Sequence, residues 1–531
     1  MDTKALRQKI LDLAIRGKLV PQNPEDEPAS VLLERIRLEK QQMVKDGKLK
    51  AKDIKNDSVI FVGEDSLHYE KFADGTVKCI EDEIPFEVPE GWALLRLQTF
   101  IKFVGGNQPP KSTFENIQTK DNIRLIQIRD YKSDKYITFI PRSKAKRFCT
   151  KEDVMIGRYG PPIFQILRGL EGAYNVALMK AIVNQDIMSN DYMYYMLQDG
   201  ELLQRLESKS ARTCGQDGIN MYELNQYIVG IPPIREQKRI INFLTESLPI
   251  VNKISNSQDE LSKLIQETKK KVLNLAIRGK LVPQKPDDEP ASVLLEHIRD
   301  KKEHLIKEGK IKRDKKESTI FKSEDNSYYE KFADGTIKCI DEEIPFEIPD
   351  TWEWTRLKNC CSKEIKRGKS PKYVEKSKTL VFAQKCNTKY NGIDIKLALC
   401  LDENMLNKYP VDEYMCNGDI VINSTGTGTL GRVGYYQLSD NLEGYPIVPD
   451  SHITIIRACD NIHTFYLYIF MKANQGNLEK KGEGSTNQKE LKPLTLKEIL
   501  VPIPPYAEQK RIIKLIDSIF FKITAIEKNL S

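Results

Sequence analysis

The sequence predicts an α+β chain: two globular α/β-type domains separated by a pair of long antiparallel coiled-coil helices, with pseudo-twofold, cyclic symmetry. Three observations carry this. LAIRGKLVPQ occurs at 13–22 and again at 275–284, and the surrounding stretch 11–37 matches 273–299 at 23 of 27 positions. YEKFADGTVKCIEDEIPFEVPEGW, residues 69–92, matches residues 329–352, and IPPIREQKRII, 231–241, matches IPPYAEQKRII, 503–513. After Trp92 and Trp352 the copies diverge for about 140 residues. An internal repeat on this scale governs the architecture.

The matches close on a circle. Ser531 aligns with Asp259 and Met1 with Lys263, so the end of the chain leads almost directly into its beginning. The chain is thus two copies of one unit, made of helix, arm and variable domain. The boundaries are 1–83 for the N-terminal helix and arm, 84–233 for the first variable domain and 234–343 for the central helix and arm. The second variable domain is 344–505, and 506–531 is a C-terminal helix that completes the second coiled-coil strand.

The helices are read from their period. Leu244, Leu248, Val251, Ile254, Leu261, Ile265, Val272 and Leu275 alternate three- and four-residue spacings, the coiled-coil pattern. Gln258 and Thr268 fill two of the same slots, and Pro249 is expected to kink the helix. The other strand comes in two pieces: Ile512, Ile516, Ile519, Ile523, Ile526 and Leu530 continue into Leu6, Ile10 and Leu13. The competing reading is ordinary amphipathic helices packed on their own domains; repeat symmetry favours mutual, antiparallel packing.

The arms read as less ordered. QNPEDEPAS and KPDDEPAS are polar turns, and residues 37–57 are charged enough to be solvated. Asp74-Gly75 and Asp334-Gly335 suit two-residue hairpin turns with positive backbone angles, and Pro85 and Pro89 mark an extended entry into the first variable domain.

Composition sets the class. A chain of 531 residues exceeds the about 250–300 at which single cores stop growing, so several domains are expected. With 40% hydrophobic and 30% charged residues, no apolar run of membrane-spanning length and no signal-like start, it reads as soluble and cytoplasmic. The ten cysteines are scattered without CxxC, and the five histidines lack ligand spacing, so neither disulfides nor a metal site are expected.

Taken together, the paired EQKRI helices, the GKLVPQ arms and the two unlike domains resemble the specificity subunit of a Type I restriction-modification system, over essentially the whole chain. The resemblance implies that 84–233 and 344–505 are target recognition domains, each reading half of a split sequence in double-stranded DNA. It further implies two adenine-N6 methyltransferase subunits held by the helices, and restriction subunits that join the assembled complex. No cofactor is expected on this chain; S-adenosylmethionine would sit on the methyltransferase, ATP and magnesium on the restriction partner.

Charge agrees with this. Residues 92–233 hold 19 Lys and Arg against 14 Asp and Glu, and 352–502 hold 21 against 17, so the positive excess lies in the variable domains. The local signals are the basic runs 141–148 and 363–372. GGNQPPK, 105–111, faces KRGKSPK, 366–372, and DVMIGRYG, 153–160, faces DIVINSTG, 419–426. The latter pair resembles the family's strand-then-glycine segment, where a small residue lets backbone approach DNA. Candidate DNA contacts are Lys111, Arg129, Lys144, Lys146, Arg147 and Arg158 in the first domain. In the second they are Lys366, Arg367, Lys369, Lys372, Ser424 and Thr425; Arg158 fits the basic position that the resemblance implies, whereas Ser424 stands there in the second domain and departs from it. A solvated face and a plain strand-to-turn corner are the competing readings.

Three patterns point toward catalysis and fall short. Ile503-Pro504-Pro505-Tyr506 mimics an adenine-gripping methyltransferase motif but lacks its first polar side chain, and 426–433 has P-loop glycine spacing without the Lys-Ser/Thr pair. Asp350 with Glu364 and Lys366 matches a loose magnesium-endonuclease pattern. That nuclease, and a purely structural coiled-coil scaffold, are the alternatives to a noncatalytic specificity subunit.

Overall fold

The computed structural model describes residues 1–50, 54, 57–213, 216–309, 313, 317–389, 392–426, 428–484 and 489–530. Among them no helix is long and apolar enough to cross a membrane. The chain forms two compact units, Met1–Gln258 and Asp259–Ser531, divided within the 44-residue central helix Ile234–Ile277.

In the first unit the N-terminal helix Thr3–Ile15 starts on Asp2, whose carboxylate accepts from Lys4 N and Ala5 N. It ends at Gly17, where φ is +66° and a β-carbon would lie 2.4 Å from Pro89 Cγ. Leu11 and Ala14 share a core with Ile240, Leu244 and Leu248 of the central helix. Gln258 Nε2 donates to Met1 O at one end and Gln22 Nε2 to Glu236 at the other, so the two segments run antiparallel. In the second unit Lys269 pairs with Glu527 at 2.8 Å and Gln284 with Glu508 at 2.7 Å, giving the C-terminal helix Tyr506–Leu530 the same sense against 259–277.

The expected seam is interrupted. Leu244, Leu248, Val251, Ile265, Val272, Ile512, Ile516 and Ile523 are buried, but Leu261 and Ile526 are exposed. In the N-terminal helix Leu11, Ala14 and Ile15 are buried while Leu6, Ile10 and Leu13 are half-buried. The cause is a second neighbour: Arg7 and Arg16 bond Gln198 and Glu201 of the first domain, which turns the helix toward that domain. The central helix runs unbroken through Pro249.

The arms correct the expectation of solvated turns. Ala29–Lys45 and Ala291–Lys307 are helices of 17 residues each. Ala29, Leu32 and Ile36, and equally Ala291, Leu294 and Ile298, are buried at i, i+3 and i+7, while the charges lie on the opposite face. Parts of both arms, including 51–53 and 310–312, lie outside the described residues. A three-stranded antiparallel sheet follows, Ser58–Val62, His68–Phe72 and Val77–Cys79, and the second arm repeats it at Ser318–Lys322, Tyr328–Phe332 and Ile337–Cys339. Its turn has three residues rather than two. Phe72 N donates to Thr76 O, Gly75 N to Phe72 O, and of Asp74 and Gly75 only the glycine has positive φ, +88°. Asp74 instead accepts from Thr76 N and Oγ1.

Each domain hangs from a two-stranded neck. Ala93–Arg96 pairs antiparallel with Ile228–Ile231, and Glu353–Arg356 with Leu500–Ile503. Arg96, 4% exposed at its side chain, bonds the fully buried Glu70 of the arm sheet, Glu83 and Gln226 O; Arg356 repeats this with Glu330, Glu343 and Glu498 O. The repeated LAIRGKLVPQ and EQKRII segments meet beneath the neck. Buried Glu236 accepts from Trp92 Nε1 at 3.1 Å and Gln22 Nε2 at 2.8 Å, Gln237 donates to Ile187 O and Pro232 O, and Arg239 pairs with Asp26 at 2.7 Å. Glu508, Gln509 and Arg511 repeat the set with Trp352, Gln284, Pro504 O and Asp288. The ten-residue sentence recurs because it is half of a socket, and each domain needs one.

Within the first domain the two four-stranded sheets are Gln165–Leu167, Val154–Gly157, Leu178–Val183, Ile101–Gly105 in that order, and Phe139–Pro141, Asn122–Ile126, Gly172–Tyr174, Phe148–Cys149; a three-stranded sheet joins Tyr159–Gly160, Gln216–Gly218 and Ala211–Thr213. The second domain has Val433–Tyr435, Ile420–Asn423, Ile453–Ile456, and Tyr373–Val374, Leu399–Leu401, Leu380–Phe382, Ile447–Pro449. One pair in each is parallel, Asn122–Ile126 with Gly172–Tyr174 and Leu380–Phe382 with Ile447–Pro449; the other ladders are antiparallel. The domains are therefore α+β internally, a correction to the α/β-type reading, because neighbouring strands are joined mainly without crossover helices.

Candidate nucleic-acid interface

In the first domain three segments converge. The chain leaving Ile101–Gly105 is held by Gly106 N to Leu178 O at 2.9 Å and Asn107 N to Tyr174 O at 3.1 Å. A β-carbon at Gly106 would lie 1.9 Å from Asn175 O, so this approach admits only glycine. The turn Ile128–Tyr131 follows Asn122–Ile126, and Ile128 Cδ1 lies 3.3 Å from where a Gly157 β-carbon would stand. Gly157 delivers Arg158, whose N donates to Ala177 O; its guanidinium sits over the Tyr159 ring at 5.5 Å and 3.6 Å from the β-carbon position of Gly105. Arg158 thus stands at the corner where these segments meet.

The other first-domain candidates surround this corner at different distances. Arg129 is exposed on its turn, 5.5 Å over Tyr136. Lys111 is exposed on the continuation of the glycine segment. Lys144, Lys146 and Arg147 are exposed beside the strand Phe148–Cys149, and Arg147 O accepts from Tyr174 N, the residue before Asn175. Lys111, Lys144, Lys146, Arg147 and Arg158 form no ion pair among the described residues. Their charge is therefore available to an anionic ligand.

The basic run of the second domain is built differently. Lys366 pairs with the buried Glu413 at 2.8 Å, Lys363 pairs with it at 3.3 Å, and Lys369 stands 4.0 Å away. Burial opposes ionisation of Glu413, yet the lysines hold its carboxyl below the usual range. Arg367 pairs with Glu490 and Lys372 with Asp402, while Lys369 also donates to Lys408 O. The run is thus partly compensated by carboxylates from other segments, three of its lysines sharing the one carboxylate of Glu413. Gly368 is the counterpart of Gly106: its N donates to Ile453 O, and a β-carbon would lie 2.2 Å from Pro449 O. The segment match consequently shifts by one residue, pairing Gly106 with Gly368 rather than Arg367.

Ser424 is fully buried, with its hydroxyl bonded to Thr454 Oγ1 at 2.7 Å, which removes it from the side chains able to touch a ligand. Thr425 remains at the surface. Its hydroxyl meets Gln384 Nε2 at 2.6 Å and His452 Nδ1 at 2.8 Å. By strand pairing Gln384 and the exposed Lys385 occupy the places of Ile128 and Arg129. Sequence reasoning missed Gln384, Lys385 and His452, because the two turns share no residues and only the parallel ladder aligns them.

The residues of the nuclease pattern are dispersed. Lys366 serves Glu413, Glu364 pairs with Lys497 at 3.0 Å, and Asp350 lines another cavity with Arg299 and Glu353. Ile503 is buried in the neck strand. In 426–433, Gly426, Gly428 and Gly431 all have positive φ in a turn, and Thr427 lies outside the described residues.

The family model for the Type I restriction modification DNA specificity domain matches residues 89–263 and 349–531. The chain is similar to the Type I restriction enzyme EcoAI specificity subunit of Escherichia coli, 29% identical over 410 residues, covering 67% of this chain and 62% of that protein. It thus matches less than two thirds of that relative's length. The EcoEI specificity subunit, also from Escherichia coli, is 27% identical over 600 residues, covering 98% of this chain and 89% of its own. A solved chain from work on complex assembly and conformational transition of the type I R-M system is similar in fold, with TM-score 0.53 and 16% identity, covering 84% of this chain and 94% of that one. With two matched segments that together span more than half of its residues, the chain belongs to the Type I restriction modification DNA specificity domain family.

Proposed function

We propose that the chain is the noncatalytic specificity subunit of a Type I restriction-modification complex. Residues 84–233 and 344–505 each read one half of a two-part, asymmetric site in double-stranded DNA. The repeated helices form a pseudo-symmetric coiled coil that holds two adenine-N6 methyltransferase subunits, and restriction subunits join through the assembled complex in the cytoplasm. S-adenosylmethionine then belongs to the methyltransferase, and ATP with magnesium to the restriction partner.

One observation supports this best: a single scaffold appears twice with unlike side chains at the same corner. Both domains keep the neck, the parallel strand pair and the glycine pressed on a carbonyl. One then offers Arg129 and Arg158, the other Gln384, Lys385, Thr425 and His452. Constant backbone with variable polar tips suits direct readout, in which each good base contact is worth about 1–3 kcal/mol of discrimination. The test is methylation sequencing of cells expressing the complete system, with and without this subunit. A two-part motif that disappears with the subunit is expected, whereas motif-independent methylation would refute the reading. Cleavage of DNA by the purified chain with magnesium alone would instead support the nuclease.

A further inference from the structure

The inner face of each arm sheet is occupied by the buried salt bridge and the domain edge, and the outer face is solvent-exposed. Register places Val59, Phe61, Tyr69, Lys71, Val77 and Cys79 on the outer face of the first sheet. Thr319, Phe321, Tyr329, Lys331, Ile337 and Cys339 take those positions in the second. Phe61 and Val77 are 41% and 53% exposed, Phe321 and Ile337 39% and 56%. The rings stack, Phe61 on Tyr69 and Phe321 on Tyr329, at 6.0 and 5.9 Å between centroids.

Other exposed apolar positions of the repeats are mixed: Leu38 faces Asp300, Val62 faces Lys322 and Leu67 faces Ser327, while Val31 and Met43 face Val293 and Leu305. On the outer sheet face Phe61, Tyr69 and Val77 are matched by Phe321, Tyr329 and Ile337, with Val59 alone replaced by a polar residue, Thr319, although folding leaves Phe61, Val77, Phe321 and Ile337 exposed. Its surroundings are acidic. Residues 58–90 hold nine carboxylates against two lysines, and 318–350 nine against three; in each set one carboxylate, Glu70 or Glu330, is buried on the inner face against an arginine, and the rest outnumber the lysines. Such a rim repels a phosphate backbone and complements a protein surface whose apolar cleft is ringed by lysine and arginine. Two copies of one patch call for two copies of one occupant.

We propose that the outer faces of the two arm sheets are equivalent docking surfaces for one basic-rimmed protein surface; given the specificity-subunit reading, that surface belongs to the methyltransferase subunit, one copy per arm. The experiment uses the full chain with the methyltransferase subunit of its own system, counted by native mass spectrometry. The unaltered chain should carry two methyltransferases, Val77→Glu or Ile337→Glu one, and the double variant none, each altered arm losing at least about tenfold in affinity. DNA binding by the free chain should be unchanged, which also shows that the variants fold. Without any substitution, complex formation should shield Cys79 and Cys339 from maleimide relative to the exposed Cys416. A double variant that keeps both methyltransferases, or thiols that label equally fast in the complex, overturns the proposal alone. Loss only of self-association by the chain in the double variant, with methyltransferase retained, also overturns it. An unaltered chain that binds no methyltransferase overturns this proposal and the specificity-subunit reading together.

Discussion

Alanine at Gly106 tests whether the glycine corner positions a DNA-reading segment. The added β-carbon would stand 1.9 Å from Asn175 O, against an ordinary contact of about 3.5 Å, so the segment must move by roughly 1.5 Å. A shift of that size breaks the bonds Gly106 N to Leu178 O and Asn107 N to Tyr174 O, now 2.9 and 3.1 Å, and overpacking of this kind costs about 1–3 kcal/mol. Gly105→Ala is the control. Its β-carbon meets Arg158 Nη1 at 3.6 Å, an ordinary contact. Methylation by the assembled complex on a DNA library randomised in both half-sites is the assay. Gly106→Ala should lose about tenfold or more of its preference for the half-site read by the first domain and keep the other half. Gly368→Ala, with its β-carbon 2.2 Å from Pro449 O, should do the reverse. If Gly106→Ala keeps both preferences and unfolds like the unaltered chain, the corner neither constrains the segment nor serves recognition.

Further outcomes follow from the ion pairs. Arg356→Met strands the buried Glu330 and should cost about 3–5 kcal/mol in urea unfolding of the second unit, largely recovered in Arg356→Met/Glu330→Met; a loss under about 1 kcal/mol would show that the pair does not fasten the arm sheet. Burial opposes ionisation of Glu330, but Arg356 and Ser318 hold its carboxyl below the usual range; with the folded value depressed, its stabilisation is complete above about pH 4.3 and is lost as pH falls through the folded value. Glu330→Gln should therefore show a shallower loss of stability between about pH 5 and pH 3, and equal slopes would refute the assignment. Lys146→Ala or Arg158→Ala should lower the salt dependence of DNA binding by about one phosphate contact, whereas Lys372→Ala, already paired with Asp402, should change it little.

What was legible in the sequence divides by the distance between interacting residues. The repeat was plain because 23 of 27 positions coincide, and the heptad spacing located the long helices. The arm helices were missed although Ala29, Leu32 and Ile36 stand at helical spacing, because the dense charge of the segment reads equally as a solvated tract. Nothing local reveals that Glu70 bonds Arg96, 26 residues away, or that Glu236 reaches Trp92 across 144. The candidate site suffered at finer scale. Ser424 and Thr425 are neighbours just past the strand Ile420–Asn423, but Ser424 bonds the buried Thr454 and is core, while Thr425 bonds Gln384 and His452 at the surface. The basic residues of 363–372 look free in sequence and are paired with Glu413, Glu490 and Asp402, each 30 or more residues further along.

The necks make a stronger test of modularity than any point substitution. Ala93 lies opposite Ile231 and Glu353 opposite Ile503, so in each unit the chain enters and leaves its domain on adjacent strands. The groups below those strands are the same in both units: Trp92 or Trp352 bonded to Glu236 or Glu508, and Gln237 or Gln509 bonded to a proline carbonyl. Replacing residues 353–503 by 93–231 therefore joins like ends to like sockets, and Arg96 arrives where Arg356 met Glu330 and Glu343. The resulting chain should fold, assemble with the methyltransferase, and direct methylation to a site containing the first domain's half-site twice, with the second half-site gone. Methylation sequencing of cells expressing this chimera measures it. Retention of the original two-part motif, or a well-folded complex that recognises neither half, would mean that the domains do not read DNA independently of the socket that carries them.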